Sequence, residues 1–235
     1  MKSIIIRKRV LVFLFFIGAY TFNTVNAQAA KGYKKLSSAE KCWVILHPFK
    51  AKRAYRVSKE VEQTIDSILN IGVMGNHHVG NQLDAFKHAF WMWSLAEEIG
   101  WRSARSLGKQ HEKGNYEFYK KHKLEDGVLP DKISSEMDLY NNSVGLALYK
   151  EHKKEDLSKR ERIEIVRQAV IDGKMKMIYQ TKNRQYIDSL GQIIPKEEHY
   201  GLWENRKCLV PSRAEYLMVD NKSKYLNLSD QKINR

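Results

Sequence analysis

The sequence predicts a mainly α-helical fold, a single-domain helical bundle with a small β-hairpin or an extended carboxy-terminal arm. Three observations carry this. Two Ser-x-x-Glu capping boxes, Ser37 with Glu40 and Ser158 with Glu161, mark helix starts. Apolar residues recur at three- and four-residue spacing through most of the chain between and beyond them. Gly and Pro are sparse, 13 and 4 of 235 residues, which leaves little to break the chain into separate domains.

Residues 1–27 read as a targeting segment. Lys2, Arg7, Lys8 and Arg9 form a positive start, and residues 10–20 are an apolar run too short for an ordinary membrane-spanning helix. Val25-Asn26-Ala27 is a small-residue cleavage site, with an uncleaved anchor as the alternative. Cleavage leaves residues 28–225 as one helical domain and 226–235 as a polar, frayed tail. No later stretch approaches a membrane span, so the expectation is an exported protein, periplasmic or extracellular.

The formal charge is +14, and removing the four basic residues of the segment leaves about +10. An exported cation associates with anionic envelope polymer or lipid. Nucleic acid is a weaker third option suggested by charge alone, and the alternative to any partner is a cationic surface that serves solubility. The two cysteines, Cys42 and Cys208, are expected to pair as a disulfide, because export permits one. The other reading is two buried free thiols.

Taken in order, Ser37 caps a short helix holding Cys42, Trp43, Ile45 and Leu46. Pro48 sits in the first turn of a second, amphipathic helix to about residue 69. Residues 70–80 are a Gly-rich loop with His77 and His78. Residues 81–99 form a helix apolar over most of its circumference, hence buried, and Gly100 stops it. A further helix runs over about 101–112 and ends near Gly114. Residues 115–133 read as loop with one short turn of helix. Ser134 or Ser135 caps the next helix, to about residue 151, and the Ser158 helix ends at Gly173. Then Met175, Met177 and Tyr179 alternate with polar residues. A turn at 188–191 precedes Ile193 and Ile194, which suggests the hairpin or arm.

Three segments place polar groups on otherwise packed helices. Asn81, Asp84 and His88 fall at i, i+3 and i+7, one helical face. His111 and Glu112 follow on the next helix. Asp138, Asn141, Asn142 and Gly145 share a face at i, i+3, i+4 and i+7, where Gly145 lets a helix or a ligand approach the backbone. Converging helices with such groups build metal sites. Asp84, His88, His111 and Asp138 are the candidate ligands of a divalent metal, since carboxylate and imidazole suit Zn, Mn or Fe. Asp84 and His88 can equally work as an acid–base pair without metal, with Glu112 assisting proton transfer. Asn81, Asn141, Asn142 and Lys87 are candidates for binding substrate or holding the network together. Bland readings stand beside these. Asn81 can be a plain N-cap with Asp84 beside the helix dipole, His88 a hydrogen-bonded core residue, and Asn141 and Asn142 a cross-link between helices.

The compound pattern Asn81-x-x-Asp84-Ala85-Phe86-Lys87-His88-Ala89-Phe90-Trp91, then His111-Glu112, then Met137-Asp138-x-x-Asn141-Asn142-x-Val144-Gly145 resembles a bacterial family of unknown function. The resemblance covers about residues 40–150. It implies a helical domain with a polar cluster drawn from three helices, of a kind that occurs in exported and toxin-like chains, and it implies no activity. Lys87 stands where Arg is common in the family pattern, which keeps charge but loses the planar fork. Leu146 also stands where Arg is expected, which removes an anion-binding group.

Two functions of different class follow. One is a hydrolase acting on an anionic envelope or phosphate-containing substrate through the Asp/His/Asn cluster. The other is a non-catalytic envelope-binding or interaction domain whose cluster only fixes helix register. The second demands that every buried polar group be paired.

Overall fold

The computed structural model describes residues 32–72, 74, 79–181 and 183–213. The targeting segment, His77, His78 and the tail at 226–235 lie outside the described residues. The chain divides into two compact units, Met1–Leu36 and Ser37–Arg235. Of the first, residues 32–35 are helical. Everything that follows belongs to the second, which is mainly α with a small antiparallel sheet. No described helix is long and apolar enough to cross a membrane.

Helix α1 (Ser38–Leu46) starts at the expected capping box. Ser37 Oγ accepts from Glu40 N at 3.1 Å, and Glu40 Oε2 accepts from Ser37 N at 2.9 Å. Glu117 accepts from the next two amides, Ser38 N and Ala39 N, so the exposed donors of the first turn are satisfied from a second helix. Helix α2 (Pro48–Ile71) has Pro at its first position and ends at left-handed Gly72. Helix α3 (Gln82–Ile99) is the centre of the unit. Leu83, Ala85, Phe86, Ala89, Met92, Leu95 and Ala96 are wholly buried. It packs against α2, α4 (Trp101–Lys120), α5 (Lys132–His152), α6 (Lys159–Ile171) and strand β1 (Lys176–Ile178). Neighbours over most of its circumference are what a helix apolar over most of its surface requires.

Two boundaries differ from the expectation. Helix α4 continues through Gly114 to Lys120. Gly114 is not a stop. A Cβ there would lie 2.3 Å from Ser37 Oγ, so glycine is needed for α1's cap to seat against α4. Helix α5 is capped by Asp131, not by Ser134 or Ser135. Asp131 Oδ1 accepts from Ser134 N at 2.8 Å, and the Ser134 hydroxyl closes the reciprocal bond. Asp is a good N-cap, and placing it one turn earlier turns Ser135 inward. Helix α6 opens at the Ser158 capping box as expected.

The carboxy-terminal arm is the small-hairpin region, with a different pairing. Strand β1 pairs antiparallel with β2 (Leu209–Pro211), register Met177 to Val210. Ile187 and Ile193 form a separate bridge around the 188–191 turn. The arm is fastened to the helices by buried polar groups. Asp131 Oδ2 accepts from Lys207 Nζ at 2.6 Å and Asn205 Nδ2 at 2.9 Å, and Lys132 N donates to Trp203 O.

The expected disulfide is corrected. Cys42 and Cys208 are both free. Cys42 is exposed on α1, which packs on α2 and α4. Cys208 is half-buried just before β2, on the sheet carried by α5 and α3, and its Sγ donates to Ile187 O. The two residues sit on different layers, each with its own surroundings.

Candidate functional site

The site is built where α3, α4 and α5 meet, and its closeness has a backbone origin. A Cβ on Gly145 would stand 2.1 Å from Ala89 O, so α5 approaches α3 at a distance only glycine allows. The approach on the Gly145 face is therefore that of a helix. It brings Asp138 of α5 onto His88 of α3. His88 Nε2 is 3.1 Å from Asp138 Oδ1 and 3.6 Å from Asp84 Oδ1. Asp84, His88 and Asp138 each offer a ligand atom, all within 4.8 Å of one another, and all three residues are buried.

Asn81 does cap α3, accepting from Asp84 N at 3.1 Å. Asp84 turns its own carboxylate back to Gly80 N, 2.7 Å, and to Lys87 Nζ, 2.8 Å. Burial alone would raise the Asp84 pKa. Lys87, His88 and the Gly80 amide outweigh it and hold the carboxyl below its usual range. For Asp138 the help from Lys87 is outweighed. Burial, Glu112 and Asp84 push it well above the carboxylate range. Burial and Lys87 push His88 down to about 3, against the pull of Asp84 and Asn142. The two neighbours are thus shifted in opposite directions, the Asp138 carboxyl up and the His88 imidazole down, so each is driven towards its neutral form.

His111 does not join this cluster, which corrects the expectation of a fourth ligand. Its ring is held elsewhere: Nδ1 is 2.9 Å from Glu40 Oε1, and Nε2 is 2.9 Å from Glu125 Oε1. Burial would lower its pKa, but Glu125, Glu40 and Glu112 raise it well above the ordinary value. Asn141 is also committed to structure. Its amide donates to Lys176 O and accepts from Lys176 N, both at 2.9 Å, so it pins β1 to α5. Asn142 makes no regular hydrogen bond through either amide atom, although it lies near enough to His88 to favour protonation. Leu146 is packed in the core.

The other half of the centre comes from α4. Glu112 is 5 % exposed. Burial raises it to about 7, His111 lowers it, Glu125 raises it, and Asn115 and Ser135 lower it. Asn115 Nδ2 donates to Glu112 Oε2 at 3.0 Å. Asn115 and Ser135 are site residues that sequence reasoning missed. Both have an available signal. Asn115 is three residues after Glu112 on the same helix, and Ser135, Asp138 and Asn142 fall at i, i+3 and i+7.

Several buried polar atoms here have no hydrogen-bond partner in the chain: Asp84 Oδ1, His88 Nδ1, Glu112 Oε1, Asn115 Oδ1, Ser135 Oγ, Asp138 Oδ1 and both amide atoms of Asn142. Two of them, Asp84 Oδ1 and Asp138 Oδ1, have a charged or imidazole neighbour at ion-pair distance without hydrogen-bond alignment. Native interiors leave few such atoms. A cluster of them, acidic and imidazole in type and on rigid helices, fits a small polar guest such as a divalent ion or water.

A family model described as a domain of unknown function (DUF6973) matches residues 41–174, more than half of the chain. The chain belongs to this family. No curated protein and no solved structure matches it. The DUF6973 span runs from α1 to the residues just before β1, so it holds every residue of the centre described above.

Proposed function

We propose that this DUF6973 domain is a hydrolase acting, after export, on an anionic envelope or phosphate-containing substrate. The observation that carries the reading is the convergence of Asp84, His88 and Asp138, with ligand atoms within 4.8 Å of one another in a buried setting. Two carboxylates and an imidazole suit a Zn, Mn or Fe ion, which supplies polarisation of a substrate oxygen or of water when bound. The chain's own groups do the rest. Glu112, near 7, is poised to take or give a proton at neutral pH. Asn115 holds its carboxylate. Lys87, partly exposed at the edge of the centre, supplies a fixed cation for an anionic substrate. The amino-terminal targeting segment and the strongly basic charge support the exported location and the anionic partner.

The competing class, a binding or interaction domain with a register-fixing cluster, draws support from Lys87, which neutralises Asp84 and Asp126 together. It requires full pairing of the buried groups, and the unpartnered atoms named above weigh against it. The test is titration of the metal-stripped protein with Mn²⁺ and Zn²⁺, followed by calorimetry and by bound-metal analysis, on wild type and His88→Ala. Binding of one divalent ion, lost in His88→Ala while helical circular dichroism persists, is the expected result. A protein that takes up no ion, and whose fold and any hydrolytic activity survive His88→Ala, is not this hydrolase.

A further inference from the structure

Residues 121–130 connect α4 to α5 and touch the centre at two charged points. Within them is a miniature hairpin. Glu125 and Val128 exchange both backbone hydrogen bonds, at 2.8 and 2.9 Å. Between them Asp126 and Gly127 have φ of 47° and 82°. Two successive positive φ values are those of a type I′ turn, for which Asp-Gly is a favoured pair. The turn aims two neighbouring carboxylates at two cations. Asp126 Oδ2 is 2.8 Å from Lys87 Nζ, and Glu125 Oε1 is 2.9 Å from His111 Nε2.

Each cation keeps an inner carboxylate as well, Asp84 on Lys87 and Glu40 on the Nδ1 of His111. With a carboxylate on each ring nitrogen, both nitrogens of His111 donate, so the ring is an imidazolium. Losing the hairpin's carboxylates would leave both cations in place. Both cations also bear on His88, and Glu125 bears on Glu112 and Asp138, so the hairpin's acids lie beside the proposed reacting groups. Lys87 and His111 are each about a quarter exposed, 23 % and 26 %, and Asp126 is 47 % exposed. The Lys87–Asp126 pair, whose acid is nearly half exposed, is weak and readily exchanged, while the His111–Glu125 pair, with Glu125 24 % exposed, is the more sheltered and the firmer hold.

We infer that Lys87 and His111 form the anion-binding subsite of this centre, and that the Glu125–Val128 hairpin fills it as an intramolecular carboxylate mimic. A phosphate-class anion displaces it. Carboxylate and phosphate oxygens make the same charge-assisted bonds to ammonium and imidazolium donors. The assignment rests on the proposed hydrolase for what happens to the anion afterwards; the subsite itself involves no metal.

The test variant is E125Q/D126N. Asn-Gly is as favourable as Asp-Gly in a type I′ turn, so the hairpin is kept and its charges are removed. Inorganic phosphate is titrated calorimetrically into metal-free protein. The variant is expected to bind phosphate roughly fivefold tighter than wild type or better, D126N alone to show a smaller gain, and K87M in the E125Q/D126N background to lose the binding. Amide exchange of residues 121–130 in wild type is expected to quicken when phosphate is added. Equal phosphate affinity in wild type, D126N and E125Q/D126N, or no binding by any of them, overturns the inference. A Mn²⁺ titration run alongside separates the two claims. Charge-gated phosphate binding without metal binding keeps the subsite and removes the metal-dependent hydrolase. Metal binding with phosphate affinity indifferent to the hairpin's charges does the reverse.

Discussion

Gly145 of α5 meets Ala89 of α3 backbone to backbone: a Cβ at 145 would fall 2.1 Å from the Ala89 oxygen and 2.7 Å from its carbonyl carbon. Neither atom belongs to a side chain that can rotate away. Gly145→Ala must therefore push the two helices apart, at a cost at the upper end of about 1–3 kcal/mol, or beyond it. The same displacement separates His88 from Asp138, now 3.1 Å apart. Chemical denaturation should show the loss of stability, and any divalent-ion affinity should fall with it. If alanine at 145 is accepted without change in the denaturation midpoint, the close approach does not hold the centre together.

How much of this could be read from sequence follows the helical periodicities. Asn81, Asp84 and His88 announce themselves because polar groups at i, i+3 and i+7 on an apolar helix are conspicuous, and α3 is the buried helix that its composition demands. Asp138 is exposed in the same way by its regular spacing from Asn142. Asn115 and Ser135 were hidden by two local misreadings. Treating Gly114 as a stop cuts α4 before Asn115, although that glycine exists to admit Ser37. Treating Ser135 as a cap takes it out of the helix face it shares with Asp138. Both errors have one physical cause: a glycine or serine has several uses, and only the tertiary neighbour decides which. The free cysteines and the separation of His111 from the Asp/His cluster depend on which layers meet, and spacing along the chain does not encode that.

Asp138 separates a functional centre from a structural one. Burial and its acidic neighbours push the carboxyl towards its neutral form, and Asn is close to that form in both shape and charge. Asp138→Asn should leave the metal-free protein as stable as wild type or more so, because a buried acid is removed and the amide keeps the shape of the carboxyl. The same change should weaken divalent-ion binding at least about tenfold. Thermal melts with and without Mn²⁺ measure both effects. A large loss of stability without metal would identify Asp138 as a structural group.

Glu112 gives stability a pH dependence of definite sign. Its folded pKa is raised to about 7 from an ordinary value of 4.5. Between these values the folded protein binds more protons than the unfolded chain, so stability falls as pH rises through the interval and stays reduced above it. Glu112→Gln cannot titrate. The variant should match wild type near pH 4 and exceed it by on the order of 3 kcal/mol at pH 8. His88 works the other way, because its folded pKa of about 3 lies below the ordinary 6.5 and stability is lost as pH falls below 6.5. That contribution is common to both proteins and drops out of the difference. Denaturation midpoints compared pairwise at pH 4, 6 and 8 check the trend. A difference that stays flat with pH would place the Glu112 carboxyl in an ordinary, solvated setting.

Asp131 and Lys207 tie the arm to α5 through a contact of 2.6 Å between side chains 4 % and 9 % exposed. Breaking one half of a buried pair strands the other, typically at about 3–5 kcal/mol. Asp131→Asn is the informative change, because Asn still caps a helix and only the charge is lost. Lys207 is then left with the Tyr186 ring, 3.8 Å away. The cost is bounded by that of releasing the arm, whose hold on the helices here is Trp203 against the Tyr116 and Tyr119 rings and the hydrogen bond from Lys132 N to Trp203 O. Asp131→Asn should therefore make the chain sensitive to limited proteolysis at exposed Tyr200 and Leu202 while the main helical melt moves little. Lys207→Met in the same background should restore part of the protection, because the stranded charge is gone. If the main melt instead falls by the full cost of a broken buried pair, the arm is an integral part of the core, and the cooperative unit extends to β2.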